Sequence, residues 1–138
     1  QPESVYFVGS QVTWTIGDYL WDGNTLESMT AFQNTSTPNW SGAAGTTIGN
    51  NANWTIGTRA VATVVYNGAS SSNGINRLAA VTGNSGAGNG GGVTVGASAT
   101  PSGYGNITFS EAVLRSVADD AATQARIVNY EMRRWNIS

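Results

Sequence analysis

The stretch Ala60-Val61-Ala62-Thr63-Val64-Val65-Tyr66-Asn67-Gly68 decides the fold class. Seven apolar and β-branched residues run without a break into an Asn-Gly pair, the pattern of a buried strand closed by a turn. Beyond a Ser-rich connection the chain reaches Asn73-Gly74, and the pattern resumes at Ile75-Asn76-Arg77-Leu78-Ala79-Ala80-Val81. The spacing therefore predicts a hairpin between 60–66 and 75–81 with a long loop, which leaves its register open.

Further strands lie on both sides. Ser4 to Val8 predicts a strand buried on both faces, and Tyr19-Leu20-Trp21 a strand closed by Asp22-Gly23, with Leu26 to Gln33 pairing back across that turn. Thr46 to Ile48 and Asn53 to Ile56 are shorter candidates, Val93 to Val95 another, and Ile107 to Leu114 the last. Simple alternation would place Ile107, Phe109, Glu111 and Val113 on one face of that last strand. Residues 83–92 include six glycines and predict a flexible, permissive connection; no Lys follows that would make it a phosphate cradle. Trp-Thr-Ile-Gly occurs twice, at Trp14–Gly17 and Trp54–Gly57, too short and too common in composition to define a repeat.

The C-terminus changes period. Asp119 and Asp120 supply an N-cap, Ala121, Ala125, Val128, Met132 and Trp135 form one apolar stripe, and Arg133 and Arg134 suit the last turn of a helix over about 119–135. The expected architecture is all-β: one domain over 1–138, two antiparallel sheets in a sandwich, and a single C-terminal helix.

Composition narrows the chemistry. Gly, Thr, Ser and Asn supply 62 of 138 residues, charged side chains make up 10%, and Cys, His and Lys are absent. This excludes Cys/His metal centres, Ser-His-Asp and Cys-His nucleophile systems, haem ligation, disulfides, Schiff bases and P-loop chemistry. What remains is carboxylate chemistry or none. Glycoside hydrolysis needs two acids flanking one bond, yet the only adjacent pair, Asp119-Asp120, caps a helix, so the chain is expected not to be an enzyme. A net charge of −2 with six Arg argues against a nucleic-acid partner, and no apolar run approaches the length of a membrane span. Gln1 as the first residue suggests a processed chain or an excised fragment.

The order of residues in the last third resembles a known family. Phe109-Ser110-Glu111-Ala112-Val113-Leu114-Arg115, then Asp119 through Tyr130, then Arg134-Trp135-Asn136-Ile137, is similar to the closing strand and helix of concanavalin A-like lectin/glucanase domains of the laminin-G-like type. Tyr130, Trp135 and Ile137 match, Arg134 stands for a Lys and Asn136 for a Gly, and Glu131 departs where that family prefers Leu. Upstream, Gln1-Pro2 before Val5 to Val8, then Tyr19 to Gly23, is similar to the family's second-quarter strands, and Ala62 to Gly68 to the strand that precedes its long hairpin. The resemblance implies a jelly-roll sandwich lacking the family's N-terminal strands, with a sheet edge for another segment or chain to cover. It further implies a setting on a virion surface or elsewhere outside the cell, and fixes no single activity.

Candidate sites follow from side-chain chemistry. Trp40, in the loop context Thr37-Pro38-Asn39-Trp40-Ser41-Gly42, is the first candidate for stacking on a sugar ring, with Asn39, Tyr104 and Trp21 as further ligand-binding candidates. Trp14 and Trp54 are weighed with them, and Trp21 and Trp54 also read as core. Asp18, Asp22 and Asn24 form a weak calcium candidate, since two carboxylates make a poor site and Asp22-Gly23-Asn24 also reads as an ordinary turn. No cofactor is expected. Five Asn-x-Ser/Thr triplets, at Asn34, Asn39, Asn53, Asn106 and Asn136, are what such a composition produces.

Residues 28–58 and 78–110 carry no charged side chain. Such long neutral stretches predict contact with other subunits rather than a free surface. The sequence therefore points to a non-enzymatic structural, decorative or attachment module of a virion or other extracellular assembly, with a carbohydrate-binding module of a secreted bacterial protein as the alternative and surface glycans as possible partners.

Overall fold

In the computed structural model, which describes residues 1–138, the chain is built around β1 (Glu3–Gln11). This strand pairs antiparallel with β5 (Ala60–Tyr66) on one side and β9 (Ile107–Arg115) on the other. Next to β5 come β6 (Ser71–Ile75) and β7 (Val81–Gly83), completing a five-stranded sheet in the order β7-β6-β5-β1-β9. A second antiparallel sheet follows the order β4-β3-β2-β8, from β2 (Tyr19–Asp22), β3 (Thr30–Gln33), β4 (Trp40–Ala43) and β8 (Thr94–Val95). The helix α1 (Ala121–Arg134) lies on the outer face of the larger sheet. The molecule is thus the expected all-β sandwich with one C-terminal helix.

β1 is buried on both faces because it sits under two layers. Val5 and Phe7 point between the sheets, whereas Tyr6 and Val8 point beneath α1 with Val61, Val128 and Met132. Between the sheets, aromatic rings fill the core: Phe7 stacks on Trp21 at 5.4 Å, Trp21 lies 6.4 Å from Trp40, and Trp40 meets Trp54 edge-on at 5.9 Å. Trp21 Nε1 donates to the Tyr66 hydroxyl at 3.1 Å, which donates to the Thr30 carbonyl at 2.8 Å. Burial raises the Tyr66 pKa well above its ordinary value.

Several expectations change. The strand returning from β5 is Ser71–Ile75, not 75–81, and a 3-10 turn over Gly68–Ser70 replaces the long loop. It escaped the hydrophobic reading because its inward residues include Ser71 and Asn73. Asn73 is fully buried and donates from Nδ2 to the Gly49 carbonyl at 2.8 Å. Likewise β4 was not expected, while Thr46 to Ile48 and Asn53 to Ile56 contribute bridges and turns but no strand. The partner of β2 begins only at Thr30, after a connection through residues 23–29.

The glycine-rich segment beyond Gly83 is a loop, with Gly86, Gly91 and Gly92 at positive φ, and backbone hydrogen bonds hold it against its neighbours. Ser85 accepts backbone bonds from Ala44 and Thr46 at 2.7 and 2.9 Å, Gly88 donates to the Ala44 carbonyl at 2.9 Å, and the Gly90 carbonyl accepts from Asn24 at 2.8 Å. A Cβ on Gly88 would lie 2.8 Å from the Ser28 carbonyl oxygen and 3.0 Å from that of Ala44. Glycine is needed there so that backbones can approach.

A further change concerns β9. Val8 pairs with Glu111 but Gly9 pairs with Phe109, so Ser110 is an extra residue in a β-bulge. The bulge reverses the alternation. Ile107 and Phe109 stay on the sandwich side, where Phe109 lies 5.5 Å from Phe7, while Glu111 and Val113 turn toward α1. Asp120 caps the helix by accepting from Thr123 N at 2.7 Å, which lowers its pKa. Of the expected stripe, Val128, Met132 and Trp135 dock, but Ala121 and Ala125 are exposed and Glu131 takes a buried place instead.

The two Trp-Thr-Ile-Gly copies adopt the same turn. Asp18 N donates to Thr15 O and Thr58 N to Thr55 O, both at 3.1 Å, with Gly17 at φ +87° and Gly57 at φ +77°. Local chemistry, with glycine at the third position of each turn, accounts for the likeness.

Candidate interaction surface

The residues expected to bind a ligand are not brought together. Trp40, at the start of β4, is 1% exposed, and Trp21 is equally buried, so neither presents a ring to a sugar. The expectation that the Trp40 loop resists burial fails because β4 adds to the sheet edge and turns the indole into the aromatic core; its Nε1 has no acceptor there. Asn39 is half-buried and closes its own turn, its carbonyl accepting from Asn34 N at 2.9 Å. Tyr104 alone is open, 65% exposed, and sits beside β2 on the far side of that sheet from β4.

Asp18 and Asp22 stand at opposite ends of the β2 region, about 13 Å apart along an extended chain, too far to share one ion. Asp22 is fully buried and its oxygens accept from the backbone N–H groups of Gly23, Glu27 and Ala99 at 2.8, 3.2 and 3.0 Å. Three donors pointed at one carboxylate form a loop clamp, the opposite of a cation's coordination shell. Asn24 is exposed and does not approach this carboxylate through any hydrogen bond.

What the fold does assemble is an open side. β8 and β9 are the last strands of their sheets, and the chain passes from one to the other through residues 96–106, which also pair with β2 at Tyr19, so both edges lie on the same flank of the sandwich. β8 has two residues and β9 nine, so the smaller sheet leaves most of β9 uncovered. Phe109 is 52% and Leu114 45% exposed, and Val93, Val95 and Tyr104 add exposed apolar surface. A cavity of about 350 Å³ elsewhere, between α1 and the turn after β6, is lined by Thr63, Arg77, Gln124 and Asn129 among others.

Natural edges are usually guarded by charge. Here the bulge removes it: Glu111, the only charged residue between Ile107 and Leu114, faces α1, where its Oε2 accepts from Trp135 Nε1 at 3.0 Å and pairs with Arg134 Nε at 3.0 Å. Glu131 lies against it within hydrogen-bonding reach, and burial followed by the Glu111 charge raises the Glu131 pKa. Neither carboxylate lines a surface cavity. At the other end of the helix, Asp119 is buried, accepts from the Tyr6 hydroxyl at 2.8 Å and pairs with Arg115 at 2.8 Å. Hydrophobic burial, then the bond to Asp119, pushes the Tyr6 pKa above its ordinary range.

The sequence signals for this surface were present in part. The uncharged stretch 78–110 covers β7, β8 and the first half of β9. The bulge, and with it the direction of Glu111, has no signature in alternation.

No protein-family model, curated protein or solved structure matches the chain. The likeness to concanavalin A-like domains therefore stands on the quoted residues alone, and the sandwich itself defines only a fold class.

Proposed function

We propose that this chain is a non-enzymatic structural module of a multi-subunit assembly, and that the β8/β9 flank is where a neighbouring subunit packs. The observation that carries this reading is a nine-residue edge strand, uncovered on its sandwich side, where Phe109 and Leu114 are exposed, while its two charged residues, Glu111 and Arg115, are paired with Arg134 and Asp119. Adding a strand there would satisfy the free backbone groups of β9 and cover both side chains. The resemblance to domains of virion and secreted proteins is consistent with an extracellular assembly. A sugar-binding role through Trp40, Asn39, Trp21 and Tyr104 has less support, because two of the three aromatic rings are in the core.

Light scattering across a concentration series tests the reading. Wild-type chain is expected to associate, or to be captured by subunits of its own assembly, and Phe109→Lys with Leu114→Lys to abolish this while circular dichroism stays unchanged. A wild-type chain that stays monomeric at high concentration and binds no subunit of its assembly would sink it.

A further inference from the structure

A second surface is set apart by charge. Five of the six Arg residues border α1: Arg59 lies over the Trp135 ring at 5.5 Å, Arg77 donates from Nε to Asn129 Oδ1 at 2.5 Å, and Arg126, Arg133 and Arg134 project from the helix itself. All five are exposed. The carboxylates close to them are Glu111, already paired with Arg134, Glu131, which is 2% exposed, and Asp120, which is exposed near Arg126 and occupied in capping the helix. A protein of net charge −2 thus carries a locally positive face, which implies an anionic ligand.

That face is also grooved. Arg126, Tyr130, Arg133 and Arg134 line a depression of about 470 Å³. Across Asn129 lies the groove of about 350 Å³, where Asn76, Arg77, Gln124 and Asn129 meet an apolar wall of Leu78, Ala80 and Val128. Asn129 joins the two, because its side chain accepts from Arg77 and its carbonyl accepts from Arg133 Nε at 3.2 Å. On the groove's inner wall Thr63 is 6% exposed and its hydroxyl has no partner. An unanswered buried hydroxyl is costly, and a polar ligand atom in the groove offers it a partner.

We infer that this face binds a linear acidic polysaccharide. Guanidinium groups match carboxylate or sulfate oxygens in a fork, side-chain amides suit ring hydroxyls, and the apolar wall suits a sugar's hydrophobic face. Nucleic acid is the less fitting polyanion: Tyr130 is the one aromatic among the residues lining either depression, so there is no series of rings on which bases could stack.

Calorimetry with heparin and with polygalacturonate is expected to show binding that weakens as salt rises, with neutral dextran inert. The Arg126→Gln/Arg133→Gln variant, changed only at exposed positions, should bind roughly tenfold more weakly, and adding Arg77→Gln should weaken it further. Circular dichroism of the variants should match wild type. Absence of binding to both polysaccharides, binding indifferent to the Arg variants, or an oligonucleotide bound as tightly as either polysaccharide would each overturn the assignment.

Discussion

Trp135 Nε1 donates to Glu111 Oε2 at 3.0 Å, tying the end of α1 to the middle of β9. The bond exists because the Ser110 bulge delivers Glu111 to the helix face. Trp135→Phe keeps the ring and removes the donor, so it should destabilise the fold by about 1–2 kcal/mol, as expected for a bond to a charged group at a half-exposed site. Urea denaturation checks this, and hydrogen exchange should quicken first in the last turn of α1. An unchanged unfolding midpoint would contradict the tie.

Glu131 makes stability depend on pH. Its folded pKa is raised above the unfolded value, so over the interval between them the folded state binds more protons than the unfolded one. Its contribution is therefore greatest below the ordinary Glu range and is lost as pH rises through the raised value. Glu131→Gln should gain stability over wild type as pH increases, and the difference between their urea midpoints should widen as pH rises above the ordinary Glu range. A constant difference would refute it. Glu111, Arg134, Arg59 and the Tyr6 hydroxyl, the other charged or titratable groups on the surfaces that meet the helix here, are unchanged in both proteins.

Asp119 joins three elements, receiving the Tyr6 hydroxyl from β1 and Arg115 from the end of β9 while its own N–H donates to Ser4 Oγ at 3.0 Å. Asp119→Ala leaves the buried Tyr6 hydroxyl unanswered and should cost about 3 kcal/mol or more. Tyr6→Phe alone should cost less, and the double variant should fall short of the sum by the coupling energy. Strict additivity in that cycle would show that the two side chains act independently.

Gly17 and Gly88 separate two kinds of glycine. Gly17 has φ +87° with open space around it, so Gly17→Ala should cost about 1 kcal/mol from backbone conformation alone. Gly88→Ala drives a methyl group onto two backbone carbonyls that belong to different segments, so it should cost more, about 2–3 kcal/mol. Thermal unfolding of both variants should preserve that order; the reverse order would mean that the glycine-rich segment yields.

Asp22 should act as a structural carboxylate. Asp22→Ala strands three backbone donors, that of Gly23 buried and those of Glu27 and Ala99 part-buried, and should cost about 2–3 kcal/mol. Added calcium should leave the melting temperature of wild type unchanged. A calcium-dependent rise that Asp22→Ala removes would instead make it a ligand.

Much of the sandwich was legible because its decisive strands are written in apolar and β-branched residues. Ala60–Tyr66 and Val5–Val8 are buried in the structure as their composition requires. β6 and β4 were not legible, since the polar side chains of Asn73 and Ser41 are buried and both donate to the Gly49 carbonyl, 24 residues from Asn73 and eight from Ser41. The helix stripe was read correctly at Val128, Met132 and Trp135 but missed Glu131, whose burial depends on the carboxylate that β9 places opposite it.

Residue order alone determined the fold class, the terminal helix, the excluded chemistries and the two uncharged stretches, because these follow from local periodicity and side-chain inventory. Only the tertiary structure decided what faces outward. It put Trp21 and Trp40 into the core, turned Glu111 from the open flank by one bulged residue, and gathered Arg59, Arg77, Arg126, Arg133 and Arg134 from separate segments onto one face. The physical reason is that alternation fixes a side chain's direction only relative to its neighbours. Which side is solvent depends on the layers that residues far away in the chain supply.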